Sequence, residues 1–149
     1  MWRTIVVSLA LLAGVARVAA AQSVEAVFQE AGLYGRWAED CARAAGHLGG
    51  NVHSIYARAD DGAALTYDSG PGRAPTVYRI LRAERRGADR VFYVQQNRAD
   101  GRRLEIELLR TGTAIKVWSS RRETGEVLVA GGKFPSDGVE SPTQRRCGD

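Results

Sequence analysis

Two cysteines, two histidines and a set of arginines at turn-like positions are the residues whose chemistry could reach beyond packing. Cys41 and Cys147 form an even pair, with no Cys-x-x-Cys motif and no regular Cys/His cluster around them. In an oxidising compartment such a pair reads as a disulfide rather than as metal ligands or a reactive thiol. It would close a loop of about 105 residues, for which the loop-entropy relation gives roughly 4–5 kcal/mol. His47 and His53 have a spacing that fits no standard zinc pattern, and a paired Cys41 could not ligate as a thiolate. Glu39 and Asp40 are adjacent, so on a strand they would point to opposite faces instead of sharing a proton. None of Ser54, Ser69, Ser119, Ser120, Ser136 and Ser141 sits in a nucleophile elbow or beside a His–acid pair. The sequence holds neither a phosphate-binding glycine loop nor a dinucleotide fingerprint. The expectation is a protein without catalytic residues, metal or cofactor, and not an enzyme.

The compartment in which those cysteines would pair is read from the first residues. Met1–Arg3 is a short positive start, Thr4–Ala16 an apolar run, and Val18–Ala21 ends in small residues before Gln22. This is the order of a secretory signal, with Ala19-x-Ala21 as the best cleavage site. The apolar run is too short to span a bilayer of roughly 30 Å, and Arg17 interrupts it. We therefore expect residues 1–21 to be a signal peptide and 22–149 a single domain, periplasmic or secreted, with no membrane span. Loss of Arg3 and Arg17 with the leader lowers the formal charge from +4 to +2. Nucleic acid is an unsuitable partner for such a protein, because the compartment is wrong and no exposed aromatic pattern accompanies the charge. The positive residues are nearly all arginine, with Lys116 and Lys133 the only lysines. Hydrophobic residues at 44% and charged ones at 26% exclude a disordered tail and a polytopic membrane protein.

The elements that must position these residues follow from the periodicity. Ser23–Gly32 reads as one short helix: Ser23 is an N-cap, Val24, Val27, Phe28 and Ala31 share a face, and Gly32 stops it. Beyond it the period becomes two. Eight strands are predicted, near Tyr34–Cys41, Val52–Arg58, Ala64–Asp68, Thr76–Glu84, Arg90–Asn97, Arg102–Arg110, Ala114–Ser120 and Glu126–Phe134. Gly, Asp and Pro in the links between them supply tight turns. Alternation is clearest in the sixth, where Leu104, Ile106 and Leu108 would face a core and Arg103, Glu105 and Glu107 water. The tail 135–149 has no period and should return as an extended segment that docks through Cys147. The fold class expected is all-β: an eight-stranded antiparallel up-and-down barrel with a short N-terminal helix, a β-sandwich being the alternative.

At the junction of the helix and the first strand the chain reads Leu33-Tyr34-Gly35-Arg36-Trp37. A short amphipathic helix followed by Gly-x-Trp on the first strand resembles the opening of lipocalins and related calycin barrels. The resemblance implies that Gly35 and Trp37 are structural, that Trp37 closes the barrel floor, and that a basic residue near the last strand covers the indole. Lys133 is the nearest candidate for that cover. Gly-x-Trp-Ala-x-Asp-Cys together with Cys147-Gly148 is also similar to small periplasmic proteins of alphaproteobacteria.

In a meander, alternate links emerge at one end. The links after strands one, three, five and seven carry or adjoin Arg43, Arg73, Arg98, Arg102, Arg103, Arg121 and Arg122, with His47 among them. Such a mouth over an apolar cup would attract an amphiphile with an anionic head, which arginine can hold in bidentate fashion. The ligand-binding residues expected are Arg73, Arg102, Arg103 and Arg121, with Tyr67 and Tyr93 inside. The cup would be drawn from the inward members of Leu65, Tyr67, Val77, Leu81, Val91, Tyr93, Leu104, Ile106, Leu108, Val117 and Val129. The competing expectation is a protein-interaction or hydrolase-inhibitor module in the cell envelope. It would have a solid core and a protruding loop at Ser69–Pro75 or Ala42–Asn51.

Overall fold

A computed structural model describes residues 22–46 and 50–148; the predicted leader, His47 and Asp149 lie outside the described residues. The helix α1 spans Val24–Glu30. Among the described residues nine strands follow: β1 (Gly35–Ala38), β2 (His53–Ala59), β3 (Gly62–Asp68), β4 (Thr76–Arg86), β5 (Arg90–Asn97), β6 (Arg103–Thr111), β7 (Ala114–Arg122), β8 (Val127–Val129) and β9 (Thr143–Arg146). Among the described residues, no helix is long and apolar enough to cross a membrane.

The helix begins where Ser23 Oγ accepts the Ala26 amide. It ends in a Schellman motif: the Leu33 amide donates to Phe28 O and the Gly32 amide to Gln29 O, with Gly32 at φ +61°. This turn delivers the Leu33 carbonyl to the indole of Trp37, whose Nε1 donates to it at 2.8 Å. Cap, turn and first strand are thereby locked together. The helix packs against β3 and β4 and buries Val27 and Phe28 completely. Arg58 reaches Gln29 and Glu25 from β2, and Arg110 donates to the Ala31 carbonyl from β6. One end of the barrel is therefore plugged by α1.

Consecutive strands β1 to β7 pair antiparallel, and β9 closes the ring by pairing with both β7 and β1. The architecture is a closed eight-stranded antiparallel barrel, which leaves no ring strand with a free edge along its whole length. The sequence places the last stave at Glu126–Phe134; the structure divides it in two. The first half of β7 takes β9 (Ala114↔Arg145, Lys116↔Thr143) and the second half takes β8 (Ser120↔Val129, Arg121↔Val127). Between them residues 130–142 leave the barrel and return, tethered where the Gly132 amide donates to Trp118 O and Ser141 Oγ to Val117 O. The tail thus docks as a strand, and Cys41–Cys147 is a disulfide with Cα atoms 5.2 Å apart.

The plugged half is solid. Phe28 lies 5.6–5.9 Å from the rings of Tyr34, Tyr56 and Tyr93. Trp37, Leu33, Leu65, Ile80, Ile106, Leu108 and Ile115 complete a continuous apolar core, the principal source of stability in such a domain. Two bulges reset which residues face it. One lies between Ile80 and Arg82, so Tyr78 and Ile80 point inward before it and Ala83 after it. Val77, opposite Thr66, and Leu81, at the bulge, are therefore not core members. The second bulge, between Glu107 and Leu108 on the partner strand, leaves Trp118 outside the alternation, where Arg90 lies 4.7 Å over its ring.

Arg146, rather than Lys133, stands opposite Trp37 in the β1–β9 register. Its guanidinium lies against the Cα of Gly35, where a β-carbon would approach within 3.3 Å of Nε. Lys133 bridges Ala130 and Glu140 within the 130–142 excursion.

Candidate binding site at the open end

At the end opposite the helix, the long link after β1 is folded down by one buried residue. Asn51 accepts the Asp40 amide and donates from Nδ2 to the carbonyls of Asp40, Arg43 and Ala44. His53 Nε2 lies 3.1 Å from the Arg43 carbonyl and 3.3 Å from Asn51 Nδ2, so this histidine is engaged in holding the link. The link after β3 packs on top at Gly70, against Ala45. Together they cover the side of the barrel formed by β1 to β3. The links Ser69–Pro75 and Ala42–Asn51 thus meet at Gly70 and Ala45, while residues 71–75 are exposed; a further segment, 130–142, also leaves the barrel wall.

The other side stays open as a cavity of about 470 Å³. Its inner wall is Tyr78 on β4, Asn97 at the end of β5, Leu104 on β6 and Leu128 on β8; Arg102, Arg103, Arg122, Asp100 and Glu123 form the rim. Arg102 faces Asp100 at 3.6 Å and Arg122 faces Glu126 at 3.1 Å. Arg103 has no carboxylate within 4 Å among the described residues. Arg98 turns away, to Asp61 at 3.1 Å, a carboxylate that also takes Arg79 at 3.0 Å. The barrel's tilt brings this link at one end within reach of a link that emerges at the other. The mouth is consequently less positive than a sum over the links implies.

A second, inner cavity of about 160 Å³ is lined by Ser54, Tyr56, Tyr67, Leu108, Ile115 and Val117, with Pro142 and Gln144 at its edge. Gln144, opposite Ile115, donates to the Val52 carbonyl and so ties β9 to the start of β2. Tyr67 on the inner cavity and Tyr78 on the mouth pack edge to face with centroids 5.5 Å apart. Beneath them the Tyr56 and Tyr93 hydroxyls meet at 3.0 Å. Burial raises the phenol of Tyr56 to about 12 and drives those of Tyr67 and Tyr93 well above the ordinary value. All three are neutral phenols at any physiological pH, fit to donate a hydrogen bond.

Of the residues predicted to bind, Arg102 and Arg103 reach the mouth and Tyr67 the inner cavity. Tyr93 lies lower, wholly buried in the packed core. Arg121 is opposite Glu105 on the outer surface and lines, with Arg82, an external groove that Arg103 and Arg122 border as well as the mouth; Arg121 does not line the mouth. Arg73 lies on the exposed link after β3 and lines neither cavity. Tyr78, Asn97 and Leu128 were missed, and so was Gln95, which is completely buried on β5. Counting by twos from Val91 and Tyr93 would have turned Gln95 inward, but Gln95-Gln96 side by side hid the choice. Among the described residues no group of three or more His, Cys, Asp or Glu side chains could hold a metal ion.

The fold and this site define a small, disulfide-linked β-barrel, plugged by a helix at one end and open between arginines at the other. Its architecture is compatible with a lipocalin-like fold. Comparison with protein families finds no matching model, and no curated protein or solved structure matches the chain significantly.

Proposed function

We propose that the protein is an exported, non-enzymatic binding protein that holds a small anionic amphiphile in the open end of its barrel. The observation that carries this reading is the cavity of about 470 Å³ with Tyr78, Leu104 and Leu128 inside and Arg102, Arg103 and Arg122 at its rim. An apolar wall with a few convergent polar groups is the usual composition of a small-molecule site. Arginine at the rim suits a carboxylate or phosphate head that remains partly in water. The filled core limits the depth: the ligand occupies the upper barrel and does not reach Trp37. The helix and Gly35-x-Trp37 opening support the lipocalin-like reading. The Cys41–Cys147 bridge supports a periplasmic or secreted location.

Native mass spectrometry of the protein purified from its own compartment tests the proposal. The expected result is an adduct of a few hundred daltons that is lost on substitution of Arg103 by Glu. A bare mass, with no anionic amphiphile bound in solution, overturns it.

A second reading, a partner-binding module of the cell envelope, is favoured by one observation. The 130–142 excursion lies outside the barrel wall, tethered to β7, and carries Val139 with 57% of its surface exposed. Loss of a co-purifying protein when Val139 is changed to Asp would support it over the ligand reading.

A further inference from the structure

Gln95 is fully buried, and neither its Nε2 nor its Oε1 meets a hydrogen-bond partner. A primary amide can donate twice and accept through two lone pairs, and leaving all of these unused in the core costs stability that an apolar residue of the same shape would not. Its position says what the amide serves. Along β5 the inward residues are Val91, Tyr93 and Gln95, and Asn97 at the strand end lines the mouth. Gln95 is thus one layer, about 7 Å, below the rim. Its cross-strand neighbours are Ile80 on β4 and Leu104 on β6, and Leu104 is itself on the cavity wall. Gln95 itself lines neither cavity, so a ligand reaches its amide only by displacing a wall side chain such as Leu104.

We propose that Gln95 is the deep polar contact of this mouth, selecting ligands whose inner end is a neutral carboxamide or protonated carboxyl group and whose outer end is a carboxylate. The inference rests on the binding reading above. A carboxamide matches the amide donor for acceptor and acceptor for donor. A charged inner end is excluded by its surroundings, since Ile80, Leu104 and Tyr93 offer no counter-ion and burial of an unpaired charge is prohibitive. The outer carboxylate meets Arg103, which has no carboxylate partner among the described residues. The site therefore discriminates between molecules of equal length by the group at the buried end.

Two probes separate this from the broader reading. Adipamate carries a carboxylate and a primary amide separated by four methylenes; hexanoate has the same carboxylate and chain length but ends in a methyl group. Calorimetric titration should give at least tenfold tighter binding of adipamate than of hexanoate by the unaltered protein. Gln95→Met, the closest apolar match in shape, should lose the preference for adipamate, binding both probes alike, and unfold at a higher urea concentration than the parent. Gln95→Leu provides the same comparison with a smaller side chain. Equal binding of both probes by the unaltered protein overturns the role of Gln95 and leaves the mouth as a binding site. Binding of neither probe overturns both. A Gln95→Met protein that unfolds at lower urea shows that the amide is satisfied within the fold and overturns the inference by itself.

Discussion

Gly70 and Ala45 are in backbone contact across the covered half of the open end: a β-carbon on Gly70 would overlap the Ala45 carbonyl oxygen. Gly70 also has φ +86°, where side chains are strained irrespective of space. The contact joins the link after β3 to the one that Asn51 folds down, and so fixes which half of the barrel is covered.

This contact can be separated from backbone strain. Gly72 has nearly the same dihedral, φ +83°, but nothing lies within 4 Å of its hypothetical β-carbon. Gly72→Ala should cost about 1 kcal/mol, whereas Gly70→Ala should cost about 2–4 kcal/mol because the two links must part. Urea unfolding of the two variants checks the difference. Equal losses would mean that the link–link contact contributes nothing.

The disulfide crosses between the segment just after β1 and the residue after β9, where the Cys147 amide also donates to Arg36 O at 2.8 Å. Its sequence separation is 106, so reduction, or replacement of both cysteines by serine, should lower the unfolding free energy by about 4–5 kcal/mol. Because β9 closes the ring, its amides should lose hydrogen-exchange protection first, before those of β5 and β6. Uniform loss of protection would contradict this order.

The barrel was legible because its signal is local and repeated. Leu104, Ile106 and Leu108 alternate with charges over one strand, and Gly or Asp marks every link, so strand existence needs no tertiary information. What was hidden depends on single-residue offsets. The bulge at Leu81 exchanges the faces of β4 halfway along, and nothing in Ile80-Leu81-Arg82 announces it. Thr143–Arg146 carries no apolar alternation, because Gln144 faces inward to bind the Val52 carbonyl and its neighbours are exposed. The rim was legible only in part. Arg102 and Arg103 follow from their place beside a turn, whereas the turning of Arg98 to Asp61 is set by barrel tilt, which the strand sequence does not encode directly.

The buried phenols make stability depend on alkaline pH. A tyrosine phenol ordinarily titrates near 10.0, and burial lifts Tyr56 to about 12 and Tyr67 and Tyr93 well beyond their ordinary range. Above pH 10 the unfolded chain releases protons that the folded protein retains. Stability is therefore complete below about pH 10 and falls as pH rises toward the folded values, by about 1.4 kcal/mol per pH unit for each tyrosine. Tyrosinate absorbance should appear in one cooperative step with unfolding, and Tyr56→Phe should reduce the slope by one tyrosine's share. Gradual titration of these phenols in the folded protein would contradict it.

Asn51 offers the sharpest test of how the open end is built, since its Nδ2 faces three carbonyl oxygens, those of Asp40, Arg43 and Ala44, while Oδ1 receives the Asp40 amide. Asn51→Ala removes these bonds and leaves the carbonyls short of a donor, a loss of about 1–3 kcal/mol. Asn51→Asp keeps the shape but turns a second oxygen toward the same carbonyls, and its carboxyl escapes a buried charge only by keeping a proton that it would release in the unfolded chain. It should cost more than alanine at neutral pH, about 3–5 kcal/mol, despite being nearly isosteric. A buried aspartate in that setting has its pKa raised, so it is held neutral in the folded state. The deficit of Asn51→Asp relative to Asn51→Ala should then shrink as pH is lowered toward 4, where the unfolded aspartate also takes up its proton. Urea midpoints for both variants at neutral and acid pH measure it. An aspartate variant as stable as the parent would mean that Asn51 does not hold the link after β1.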